Sequence, residues 1–207
     1  MSEGLAISSV GDQLGQDGKE GRVFKARAKK RFRDTVLNVP VSISRGTLLA
    51  VKQFRKTKSP NRILREAVFQ QRAASVGVAP LVFGVHTKDK YIVMERCDTR
   101  IIDVYAGRTL PDGLQYMICA LMARLDGENI LHNDGNALNL MLRKKKPVLV
   151  DYGFAKNLKR GKSNFKITLW AIVHSLKRHR IVAPILERSV KGNDVSIYIT
   201  NGEHLLS

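Results

Sequence analysis

Three oxygen-bearing side chains stand out by type and spacing. Asp134 and Asn139 lie five residues apart in the stretch ILHNDGNALN at 130–139, and Asp151 closes the apolar run PVLV twelve residues after Asn139. Carboxylate and amide oxygens are hard ligands. An Asp and an Asn on one loop, with a second Asp at the end of a strand, can converge on a divalent cation such as magnesium, whose usual companion is a polyphosphate. Turn preference alone explains an isolated Asp, Asn or Gly. The joint spacing, with His132 two residues before Asp134 and apolar residues on both flanks, points instead to a site.

The order of these residues resembles the catalytic loop and the Asp-Phe-Gly segment of the protein-kinase superfamily, with Tyr152 in place of the middle Phe. The resemblance implies that Asp134 orients or deprotonates an acceptor hydroxyl, and that Asn139 and Asp151 hold Mg2+ together with ATP. Upstream, LAVK at 49–52 is similar to the Val-Ala-Ile-Lys strand of that superfamily. The two-residue period places Ala50 and Lys52 on one face, the first to lie over a flat base and the second to reach its phosphates. The helix that follows contains a single acid, Glu66, the one candidate for the ion-pair partner of Lys52. The run YIVMERCD at 91–98 resembles the last strand and hinge of the small kinase lobe. By that resemblance Met94 is the gatekeeper, backbone groups of Glu95 and Cys97 face the adenine, and Met141 forms the floor under the base. Gly18, Gly21 and Val23 fit the latter part of a phosphate-binding glycine loop, with Gln16 where its first glycine belongs.

The resemblance runs from about residue 14 to residue 176, and the departures from it shape the reading. Asn133 replaces the Arg of the His-Arg-Asp form, so activation through a phosphorylated loop is not expected, and Asn136 stands where many serine/threonine kinases place Lys. No Ala-Pro-Glu follows Gly153 and 54 residues remain after it, so the peptide-binding part of the large lobe is expected to be reduced or missing. This trimmed plan resembles the small atypical kinases, the RIO and Bud types. It implies an ATP- and magnesium-dependent phosphotransferase acting on a serine or threonine hydroxyl of a protein substrate. Two alternatives stand beside it: a small-molecule kinase of the choline or aminoglycoside type, and a pseudokinase serving as a basic binding module.

Elements able to position these residues can be read along the chain. A strand is expected at 22–26, an elaborated hairpin or loop at 27–46, and a strand at 47–54 with Leu48, Ala50, Lys52 and Phe54 on one face. A helix starts at Ser59-Pro60, carries Ile63, Leu64, Ala67, Val68, Gln71 and Ala74 as its apolar stripe with Glu66 at the edge, and stops at Gly77. Short strands follow at 81–85 and 91–95. Beyond them come an apolar helix at 111–127, a loop at 130–142, a strand at 147–150 and a helix beginning at 167. Strands with one helix, then helices around a polar loop, give an α+β, bilobal, protein-kinase-like fold. The expected division is a small β-rich N-lobe at 1–96 and a reduced, mainly helical C-lobe at 97–207.

Composition bounds the rest. In 207 residues, 43% hydrophobic and 26% charged is a globular balance. No apolar stretch approaches the roughly 18–20 residues of a membrane span, and the first dozen residues do not read as a secretory signal. The expectation is a soluble intracellular protein, cytoplasmic or nuclear. Cys97 and Cys119 are too few for a disulfide scaffold and read as buried thiols, and His174 and His179 show no zinc-ligand pattern. The formal net charge of +18 is gathered at 25–33, 143–146, 156–166 and 177–180. Such clusters attract polyanions, so RNA or DNA, and after them acidic proteins, are the expected partners.

Overall fold

The computed structural model describes residues 5–8, 10–15, 18, 20–192 and 195–206. The chain divides into two units, Met1–Ser75 with Pro80–Arg96, and Val76–Ala79 with Cys97–Ser207.

In chain order the first unit holds β1 (Gly21–Arg27), β2 (Phe32–Val36), β3 (Val39–Ile43), β4 (Leu48–Phe54), α1 (Pro60–Ser75), β5 (Val82–His86) and β6 (Tyr91–Glu95). Four of these strands form an antiparallel sheet in the order β1-β4-β6-β5, and the hairpin β2–β3 stands apart from it. Central β4 is buried on both faces, because each face has its own cover. Leu49, Val51 and Val93 pack with Phe32, Val41 and Ile43 of the hairpin, while Ala50, Phe54, Ile92 and Met94 pack with Ile63 and Ala67 of α1. The basic insertion at 27–46 thus has an apolar underside that closes the sheet. Its turn places Leu37 and Asn38 at φ 51° and 66°. Asn tolerates that left-handed region, and Leu37 is held there by partial burial against the α1-side cluster.

The buried face of α1 differs from the expected stripe. Leu64 and Val68 are exposed, Glu66 and Gln70 are buried, and Gln71 is buried as the stripe places it. The polar residues are accepted inside because each finds partners far along the chain. The Gln71 amide donates to the carbonyls of Val36 and Val82 at 3.1 Å, and its oxygen accepts from the Val82 N–H at 2.7 Å. Gln70 donates to the Pro80 carbonyl at 3.0 Å and reaches Met94 Sδ at 3.4 Å.

The second unit contains β7 (Thr99–Arg100), α2 (Ile101–Tyr105), α3 (Asp112–Gly127), β8 (Ile130–Leu131), a 3₁₀ turn (Ala137–Asn139), β9 (Leu140–Arg143), β10 (Lys146–Leu149) and β11 (Lys156–Asn157). A π-helical turn (Phe165–Leu169) then runs into α4 (Trp170–Arg178), followed by α5 (Pro184–Lys191) and α6 (Ser196–Leu206). Helix α3 is its axis: Leu114, Ile118, Leu121, Met122 and Leu125 are buried, and α5, α6 and β10 pack around it. The stretch expected as loop to residue 142 ends in a strand, since β9 pairs with β10 in register Leu140 to Leu149. The turn between them is made by Lys144 and Lys145 at φ 50° and 68°, with none of the glycine or asparagine that marks such a hairpin. Residues 76–79 belong to this unit through bonds to their carbonyls: Arg124 Nη1 to Val76 at 3.0 Å, the Leu149 N–H to Val78 at 2.8 Å and Arg143 Nη1 to Ala79 at 3.2 Å. Among the described residues no helix is long and apolar enough to cross a membrane.

Candidate active site

In the second unit the loop 132–139 is held from behind. The buried Asn164 donates to Asp126 Oδ1 at 2.6 Å and to the Ile130 carbonyl at 2.7 Å, and its oxygen accepts from the His132 N–H at 3.2 Å and from Thr168 Oγ1 at 2.8 Å. Burial pushes the Asp126 carboxyl up, and the bonds from Asn164 pull it back toward the ionised form. Gly135 is required where it stands, because a Cβ there would lie 2.3 Å from the Thr168 carbonyl oxygen. Asn136 caps the 3₁₀ turn, accepting from the Leu138 N–H and from Ser175 Oγ, each at 3.0 Å.

Asp134 and Asn139 meet directly. Asn139 Nδ2 donates to Asp134 Oδ2 at 2.8 Å and to the Asp134 carbonyl at 3.3 Å. With its amide nitrogen so used, Asn139 has its Oδ1 as the atom suited to a cation. The Val150 N–H donates to the Asn139 carbonyl at 3.0 Å, and Val150 O accepts from His132 Nε2 at 3.1 Å, so the residue just before Asp151 is tied to the loop on both sides. His132 is wholly buried. Burial drives its pKa below 6.5, against the upward pull of Asp134 and Asp151, so the ring is a neutral imidazole, with Nε2–H as the donor to a carbonyl that can only accept. Tyr152 stacks edge-on against it at 4.7 Å. Asn133 and Asp151 both have left-handed backbone, φ 61° and 66°. Asn and Asp are the non-glycine residues that bear this at least cost, which gives Asn133 a conformational reason to be there. Met141 lies in β9 opposite Val148, and Cys97 is buried at the start of the unit. Two large side chains outside the sequence motifs, Phe154 and Trp170, are 57% and 52% exposed. Phe154 adjoins the loop, its carbonyl accepting from Asn133 Nδ2 at 3.4 Å, and Trp170 directly precedes Ala171, against which Gly135 packs.

In the first unit the expected charge pair is present and buried. Lys52 Nζ lies 2.6 Å from Glu66 Oε1, with side chains 10% and 1% exposed. The second Glu66 oxygen accepts from Lys58 at 2.6 Å, and Lys58 also pairs with Glu20. Sequence reasoning misses Lys58 as part of this group, since it lies outside both α1 and the strand motif. Val23 is the register partner of Lys52 and packs with Ala50 and Met94 on the α1 side of the sheet. Gly21 is forced by the sheet itself, since a Cβ would meet the Gln53 carbonyl oxygen at 2.1 Å. The Gly18 N–H donates to Gly21 O at 2.9 Å to close a turn, while Gln16 of the expected glycine loop lies outside the described residues. The Glu95 N–H is engaged with the Leu81 carbonyl at 2.8 Å.

A small antiparallel sheet with one helix that pairs a strand lysine, and a mainly helical unit built around a polar loop, make this an α+β protein of protein-kinase-like fold. The KEOPS complex subunit Bud32 of Pyrococcus abyssi (strain GE5 / Orsay) is 27% identical to the chain over 149 residues, 70% of this chain and 67% of that protein. That similarity agrees with the resemblance to Bud-type kinases carried by the motifs. No protein-family model matches the chain.

Proposed function

We propose that the protein is an ATP- and Mg2+-dependent phosphotransferase of the small atypical kinase type, transferring the γ-phosphoryl group to a serine or threonine hydroxyl of a protein. The observation that carries this reading is the contact of Asn139 with Asp134 on a loop that His132 and Asn139 both bind to Val150, the residue before Asp151. Asp134 accepts the proton of the acceptor hydroxyl as its oxygen bonds to phosphorus and the bond from phosphorus to the β-phosphate oxygen breaks. The oxygen donors of Asn139 and Asp151 suit a hard cation, and Mg2+ bound there would neutralise charge on the phosphates. Lys52, fixed by Glu66, positions those phosphates, with the backbone of Gly18 and Gly21 beside them. Val23, Ala50, Met94 and Met141 offer apolar contact to the base, and the backbones of Glu95 and Cys97 its hydrogen bonds.

The relative is a complex subunit by name, which supports assembly of this chain with other proteins. A second reading concerns the hairpin. Lys29, Arg31, Arg33 and Arg45 are exposed, and none has an ion pair among the described residues, which favours a surface for RNA or DNA phosphates. The test is incubation of the purified chain with labelled ATP and Mg2+, with protein, RNA and aminoalcohol acceptors offered separately. Label on protein is expected. Label on a small molecule alone would replace the reading with the choline or aminoglycoside type, and no label with intact ATP binding would leave a basic pseudokinase module.

A further inference from the structure

Lys58 sits two residues before α1, yet its side chain is only 6% exposed. A lysine is rarely buried this far unless its charge is met. Its ammonium contacts two carboxylates, Glu66 and Glu20, and lies 4.5 Å from the centroid of the Phe54 ring. The turn that carries it is also fixed: the Lys58 N–H donates to the Arg55 carbonyl at 3.0 Å, and the Lys58 carbonyl accepts from Lys90 Nζ at 2.7 Å. Glu66 therefore serves two ammonium groups, one on each oxygen. Glu20 belongs to the turn closed by Gly18 and Gly21, and its carbonyl accepts from the Arg55 N–H at 3.0 Å.

A lysine that positions phosphates must turn its ammonium toward them, and in a two-membered pair that would weaken the hold on a buried carboxylate. Here the other Glu66 oxygen keeps its own cation. We propose that Lys58 is a positioning residue for the nucleotide phosphates: it holds Glu66 in place as Lys52 engages phosphate, and through Glu20 it fastens the glycine turn to α1. The proposal rests on the phosphotransferase reading and adds to it a residue that the kinase motifs do not supply.

The test uses the full chain with Lys58→Met, Lys58→Arg and Glu20→Ala. Hydrogen exchange of the nucleotide-free protein reads the anchoring at the Gly18 and Arg55 amides. Lys58→Met should speed exchange there at least about tenfold while the amides of β4 and β6 keep their protection. Glu20→Ala, which leaves the Lys58–Glu66 contact in place, should loosen the same two amides but not α1, and it decides the matter if Lys58→Met does not fold. In steady-state kinetics Lys58→Met should raise KM for ATP about tenfold with a smaller fall in kcat, and Lys58→Arg should recover most of both losses. Unchanged exchange in Lys58→Met and Glu20→Ala, or equal losses in the Arg and Met variants, would overturn the proposal. A wild-type chain that neither binds nor turns over Mg-ATP would remove the nucleotide role along with the phosphotransferase reading, and exchange would then still decide whether Lys58 fastens the turn.

Discussion

Replacing Glu66 by Ala takes one carboxylate from two cations at once. The Glu66 side chain is 1% exposed, Lys52 10% and Lys58 6%, so both bonds lie in a region where water compensates little. Removing one partner of a buried ion pair costs about 3–5 kcal/mol. Lys58 keeps its contact with Glu20, which places the expectation near the lower end of that range, about 3 kcal/mol. Lys52→Met, by contrast, leaves Glu66 paired to Lys58 and should cost about 1.5 kcal/mol, the lower end of the worth of one charged hydrogen bond. At roughly 2–4 °C per kcal/mol for a chain of this length, Glu66→Ala lowers the midpoint by about 9 °C and Lys52→Met by about 4 °C. Calorimetry is the suitable assay, because the single tryptophan, Trp170, lies in the second unit and does not report on the first. A loss in Lys52→Met equal to or larger than that in Glu66→Ala would refute the idea that Glu66 is shared.

Asp134→Ala should lower phosphotransfer by at least about 100-fold while Mg-ATP still raises the melting temperature, because Asp134 is assigned to the acceptor and not to the nucleotide; unchanged turnover would remove that assignment. Asp151→Ala should abolish the magnesium-dependent part of nucleotide stabilisation, and an equal Mg-ATP thermal shift in variant and wild type would contradict its role as a metal ligand. The buried His132 has a folded pKa depressed below 6.5, so its contribution to stability is fully present above pH 6.5 and is lost as pH falls from there toward the folded value. Melting temperature should therefore decline below pH 6.5, and His132→Leu should decline less over the same interval; parallel curves would exclude the linkage. Neutralising Lys29, Arg31 and Arg33 together should flatten the log-log salt dependence of binding to a short single-stranded RNA by roughly 0.7 per lost contact, with ATP binding unchanged. Anisotropy that shows no RNA binding even at about 50 mM salt would leave an acidic protein as the better partner for the hairpin.

Much of the candidate site is legible in the amino-acid order, because the signal is local. Asp134, Asn139 and Asp151 are set by short spacings on a loop and a strand end, and the kinase resemblance implies an acidic partner for Lys52, for which α1 holds one candidate, Glu66. Two strands are legible only in part. Residues 140–143 join a hairpin whose turn is made of lysines, which carry no turn signal although their backbone is left-handed. Alternation in the strand at 47–54 suggests one apolar face, whereas both faces of β4 are covered.

The tertiary structure decided which polar groups go inside, and periodicity cannot do this, since it ranks residues by their own polarity and not by the partners waiting for them. Leu64 and Val68 are apolar yet exposed, while Glu66 and Gln70 are buried because Lys52, Lys58 and the Pro80 carbonyl satisfy them. The same holds for Asn164, an ordinary residue in a basic stretch, which becomes the post behind the loop only when the fold brings Asp126, Ile130 and His132 to it. Sequence alone determined the residues able to do chemistry and the elements that carry them. The long-range hydrogen bonds and ion pairs that make those residues hold still depend on contacts tens of positions apart, and only the folded chain decides them.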